Sequence, residues 1–169
     1  MKMKTVKIQK LTRENFHKYG TYAALIDPMD QEATGPKDAP LAFFRDMLQE
    51  DFGGAVPSFS TCRIQPRPLI VTDAEFHNFT GEVAMPLDQD AIVWLAPATA
   101  SDEFPADTVE AFLVPKGTMI AIRPGVWHHG AYATENKPLN VMIVLPERAY
   151  LNDNCCMTLP ADKQVALEF

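Results

Sequence analysis

The stretch "GTMIAIRPGVWHHG", residues 117–130, decides the fold. Its first half is strand-length and apolar, and it stops at Pro124-Gly125, a pair that turns a chain. Trp127, His128 and His129 follow directly. Neighbouring residues on a strand face opposite sides. The two histidines are therefore expected to part, unless a bulge intervenes. His128 is read as the inward one and His129 as an outer-face or interface residue. Trp127 then packs on the face opposite His128, as core or as a dimer contact.

Working outward, the same kind of segment recurs. "TVKIQKL" (5–11) alternates at period two. "SFSTCRI" (58–64), "EVAMPL" (82–87), "AIVWLAP" (91–97), "VEAFLVP" (109–115) and "NVMIVLPE" (140–147) are each strand-length. Fourteen prolines against eight glycines leave little room for long helices. Many short strands separated by turn signals predict a mainly β sandwich or barrel. Two short helices are expected. One lies between Thr12, a capping residue, and Gly20. The other is one or two turns within "LAFFRDMLQEDFGG" (41–54). Trp94 is expected in the core. His17, Lys137 and Arg148 are expected in solvent. No repeat or low-complexity linker divides the 169 residues, so 1–169 reads as one domain.

Composition narrows the function. A formal charge of -7 argues against a nucleic-acid partner, which would want a basic stripe. No run approaches the length of a membrane span, and "MKMKTVKIQK" has no apolar stretch behind its lysines. A cytoplasmic protein is the expectation. Cys62 is isolated and Cys155-Cys156 are adjacent, with no metal-knuckle or redox spacing. Buried or idle thiols are the plain reading.

Two stretches gather titratable groups beside apolar strands. In "DAEFHNFTGEVAMPLDQD" (73–90), Glu75 and His77 are two apart and face one side of a strand, while Glu82 opens the next. The second stretch is the one that ends in His128. Together they resemble the paired motifs of the cupin superfamily. The second motif is matched by Gly117, Pro124-Gly125 and His128. The first is matched by His77 and Glu82, with Glu75 in place of a histidine. The resemblance implies a double-stranded β-helix or jelly-roll barrel. It also implies that Glu75, His77, Glu82 and His128 could hold a divalent metal ion with open positions for substrate. The plain alternatives are a surface charge for Glu75 and a hydrogen-bonded barrel-mouth residue for His77.

At finer grain the chain resembles the ureidoglycolate lyase family (also called ureidoglycolate hydrolase). The residues that carry this are "FHKYG" (16–20), "CRIQPRPL" (62–69), "EFHNFTGEVAMPL" (75–87), "VWHHG" (126–130) and "NDNC" (152–155). Gly130 departs from the proline that follows the family's histidine pair, and residues 30–57 match poorly. The resemblance implies a small-molecule enzyme that splits ureidoglycolate into glyoxylate and urea during allantoin breakdown. His77, Glu82 and His128 are then the catalytic candidates. Arg63 is the candidate for the substrate carboxylate, because a guanidinium fork donates two hydrogen bonds to a carboxylate. A strand-pairing role for Arg63 stays equally open. A homodimer is expected, since exposed sheet edges invite pairing. Two other functions stay open: another metal-dependent cupin enzyme (a dioxygenase or an isomerase), and a binding protein for a small acid.

Overall fold

The computed structural model describes residues 3–169. Met1 and Lys2, the start of the stretch read for a leader, lie outside the described residues. The chain opens with strand β1 (Lys4–Lys10), helix α1 (Arg13–Phe16) and β2 (Gly20–Ala24). Next come β3 (Pro57–Ile64), β4 (Ile70–Val71), β5 (Asp73–Phe76), β6 (Glu82–Pro86) and β7 (Ala91–Leu95). The run continues with β8 (Glu110–Val114), β9 (Thr118–Ile122), β10 (Tyr132–Ala133) and β11 (Leu139–Pro146). Helix α2 (Ala149–Asn152), β12 (Cys155–Thr158) and β13 (Val165–Glu168) complete it.

The strands form two curled sheets that face each other. One has the order β10-β7-β8-β1-β13-β4 and the other β2-β9-β6-β11-β3. A two-stranded pair, β12-β5, closes one end. Among the described residues only β1 runs parallel to its neighbours, β8 and β13; every other pairing is antiparallel. This is the expected mainly β barrel.

Alternation within β7 shows how the barrel is filled. Ala91, Val93 and Leu95 point between the sheets and join Ala84, Phe112, Ile120, Leu139 and Val141. Ile92 and Trp94 point the other way, into a second core with Phe76, Trp127, Val165 and Leu167. Burial on both faces explains why "AIVWL" is an unbroken apolar run. Trp127 belongs wholly to this second core and is not a dimer contact. It lies edge-on to Phe76 at 4.4 Å between ring centroids and donates its indole N–H to Thr99. Such an aromatic pair contributes about 1 kcal/mol beyond its buried area.

Helix α1 forms where Thr12 predicted it, with Thr12 and Asn15 capping each other's backbone N–H. It stops at His17. Gly20 instead begins β2, so close to β9 that a Cβ there would meet the Ala121 carbonyl oxygen at 1.7 Å. The helix expected within 41–54 does not form. That segment is irregular, Leu41 and Phe43 are exposed, and Asp46 has φ of 55°. Leu48 and Phe52 pack against Val83, Ala121 and Val144 on the outer face of the five-stranded sheet, and Phe44 and Met47 are half-buried. A segment this short, with Leu41 and Phe43 left in water, buries too little of one face to hold a helix.

His17, Lys137 and Arg148 lie in solvent as expected. Lys137 pairs with Glu135 and Arg148 with Glu147. The cysteines are free, but Cys62 and Cys156 are exposed rather than buried.

Candidate active site

The Pro124-Gly125 turn builds the site. Gly125 takes φ of 77°, a conformation that favours glycine, and its N–H donates to the His77 carbonyl at 2.6 Å. The turn thus fastens the end of one motif to the start of the other. Past it, His128 and Glu75 exchange backbone hydrogen bonds of 2.9 and 2.7 Å. Glu82 opens β6 opposite Ile122 of β9. Four segments therefore converge on one end of the barrel.

Three of the expected residues meet there. His77 and His128 are 3% and 4% exposed, with ring centroids 5.2 Å apart. The Glu82 carboxylate lies 3.4 Å from His77 Nε2 and 3.6 Å from His128 Nε2. Each imidazole is fixed from behind. His77 Nδ1–H donates to the Asp153 carbonyl at 2.5 Å, and His128 Nδ1–H to the Val126 carbonyl at 2.8 Å. These bonds leave both Nε2 atoms as the reactive positions. Both are buried, and the distances to Glu82 are too long for a good hydrogen bond, so neither has a close partner.

Charge is strongly biased in this group. Burial pushes the Glu82 carboxyl up, but the two histidines outweigh it and bring its pKa down to about 2. Burial pulls His128 down, but the facing Glu82 carboxylate, with Glu75 behind it, raises it to about 9. His77 is pulled down by burial and by the His128 charge, and the Glu82 contact still leaves it above its ordinary value.

The group stands in a cavity of about 420 Å³. Apart from the site residues its wall is largely apolar, including Val93, Ile120, Val141 and Ile143. Among the described residues no lysine or arginine lines it.

Three expectations need correction. Glu75 lines the cavity but sits in a separate group, with His129 and Cys156. His129 is not on the outer face. The ladder ends at His128, and the freed backbone lets His129 turn to the cavity as well. Arg63 lies outside the cavity. Ser60, Thr61, Cys62 and Ile64 of the same strand line the wall, whereas Arg63 is exposed and reaches Asn140 across the ladder.

Two residues escaped the sequence reading. Asp153 holds His77 by its carbonyl, and its carboxylate accepts the N–H groups of Asn78, Phe79 and Thr80 at 2.7–3.2 Å. "NDNC" carried that signal without a role attached. Arg67 donates to the carbonyls of Gly130 and Ala131 and lies over the Tyr132 ring, bracing the segment after His129. A lone arginine in a loop gives no comparable signal.

The oxalate decarboxylases of Bacillus subtilis (11% identical, TM-score 0.43) and Lactobacillus farciminis (16%, 0.42) each align with 63% of the chain. The chain spans 25% and 28% of their respective lengths. A ureidoglycolate lyase of Burkholderia cepacia is 30% identical over 171 residues, covering 97% of this chain and 90% of that one. The family model described as ureidoglycolate lyase matches residues 3–168, which takes in all three site residues and the Asp153 anchor. The chain belongs to the ureidoglycolate lyase family.

Proposed function

We propose that this chain splits ureidoglycolate into glyoxylate and urea, a carbon-nitrogen lyase step in allantoin breakdown, with His77, Glu82 and His128 as the working group. The observation that carries the reading is the pair of buried Nε2 atoms aimed at one carboxylate. The reaction moves two protons. The substrate hydroxyl loses one as the C=O bond forms. The C–N bond pair leaves with the urea nitrogen, which gains one. His77 Nε2 takes the hydroxyl proton. His128, held protonated by Glu82, gives its Nε2 proton to the departing nitrogen. Glu82 lies between the two imidazoles and returns the proton from His77 to His128. The Nδ1–H bonds to the Asp153 and Val126 carbonyls keep both rings from turning during the exchange. The apolar wall keeps bulk water from the departing group.

The same atoms fit a divalent cation: two unpartnered Nε2 atoms, that of His128 once its proton is displaced, and a carboxylate, all within 4.8 Å of one another. Bound there, the cation would supply the positive charge for the substrate carboxylate that the wall lacks. Relay and metal binding compete for the same lone pairs. Assaying glyoxylate, urea and ammonia with and without a chelator separates them. Full activity after chelation supports the relay, and activity restored only by added metal supports the cation. Ammonia in place of urea would overturn the lyase reading.

The working group draws on residues from 77 to 153, which supports one domain over 1–169. β3 is an exposed eight-residue edge strand with Phe59 in solvent, which supports a homodimer through that edge. Light scattering at the mass of a single chain would remove it. Among the described residues no helix is long and apolar enough to cross a membrane. The acidic charge accords with a small-molecule enzyme of the cytoplasm without a nucleic-acid partner.

A further inference from the structure

We propose that Glu75, His129 and Cys156 form a second metal site, at the cavity mouth, for a thiolate-binding divalent cation such as zinc or cobalt(II).

Register brings the three together. Cys156 of β12 is the direct cross-strand partner of Glu75 on β5, so their side chains leave the same face. On the other flank Glu75 is bridged to His128, and His129 follows as the backbone leaves the ladder. The imidazole nitrogen, the carboxylate oxygen and the sulfur lie within 4.8 Å of one another. Nearby Asp73 spends its carboxylate on the hydroxyls of Thr72 and Thr158, leaving Glu75 as the carboxylate that faces the sulfur.

The donor set chooses the metal. One sulfur, one nitrogen and one oxygen suit zinc or cobalt and poorly suit magnesium or calcium, which want oxygen alone. Three protein ligands leave a position open. Glu75 and His129 both line the cavity, so that position faces the cavity. A metal takes the thiolate, not the thiol. Binding forms the metal–sulfur bond and releases the thiol proton to solvent. The inner group contains no sulfur, so the two sites differ in spectrum. The proposal does not depend on the reaction assigned to the inner group.

The test is a cobalt(II) titration of the chelator-stripped full chain. The expected result is a thiolate-to-cobalt charge-transfer band in the near ultraviolet, with proton release. The band disappears in Cys156→Ser. Glu75→Gln and His129→Ala weaken cobalt binding roughly tenfold or more. The band survives in Cys62→Ser and in His77→Ala/His128→Ala. A second arm needs no variant: bound zinc slows alkylation of Cys156 roughly tenfold, read by peptide mass spectrometry, while exposed Cys62 reacts as before. Absence of the band in the wild-type chain, a band that survives Cys156→Ser, or equal alkylation with and without zinc would each overturn the proposal.

Discussion

The inner group and the mouth group are built from neighbouring residues yet held in opposite ways. His77 and His128 are buried, and each is pinned by a backbone carbonyl so that one nitrogen is presented. Glu75 and His129 are half-buried and Cys156 is exposed, positioned by ladder register rather than by bonds to their own polar atoms. The difference teaches that side chains on adjoining strands can share one cavity while serving different purposes. Burial and fixed rings suit proton transfer or a tightly held ion. An open mouth suits exchange with solvent.

The contrast can be broken most sharply at His128. His128→Ala should lower kcat/KM about a thousandfold, the loss expected for a positioned acid. The protein should remain folded, with a lower Tm because Glu82 loses a buried partner. Retention of normal turnover would erase the distinction between the groups.

Glu82→Gln should cost about a hundredfold in activity and also change how stability depends on pH. Glu82 has a folded pKa of about 2 against an ordinary 4.5, so its contribution is complete above 4.5 and lost as pH falls toward 2. His128 has a folded pKa of about 9 against 6.5, so its contribution is complete below 6.5 and lost as pH rises through 9. The wild-type Tm should therefore be highest between about pH 4.5 and 6.5 as far as this pair is concerned. The variant should show a flatter profile across both limbs. An unchanged profile would contradict the ion pair.

Asp153→Ala tests whether the inner group depends on its anchor. Removing the carboxylate that holds three backbone N–H groups should cost about 1–3 kcal/mol of stability. It should lower kcat roughly tenfold with little change in KM, because the His77 loop loosens. Arg63→Ala is the smallest expected effect. Its side chain lies on the outer face, so kcat/KM should stay within about twofold and surface truncation should leave Tm nearly unchanged. A large rise in KM would restore Arg63 to the site.

The sequence revealed the barrel through its long strands and its Pro-Gly turn, because period-two burial writes itself into residue order. It did not reveal β2, nor β4, β10, β12 and β13, which at two to four residues are too short for a period to stand out. The helix expected at 41–54 failed because only part of its apolar face is covered, with Leu41 and Phe43 left in solvent. His77, Glu82 and His128 were legible because the turn and strand ends fix their spacing. The place of His129 was not, since it depends on where a ladder stops rather than on alternation. Cys156 reaches Glu75 only through a strand pairing about eighty residues apart in sequence. Such long-range register leaves no local mark.

The most direct test of the central claim is carbon-13 NMR of labelled ureidoglycolate turned over by the full chain, beside the His77→Ala/His128→Ala variant. The account predicts equal amounts of glyoxylate and urea from the wild-type chain and no turnover by the folded variant. Release of ammonia, or turnover that survives loss of both histidines, would contradict it.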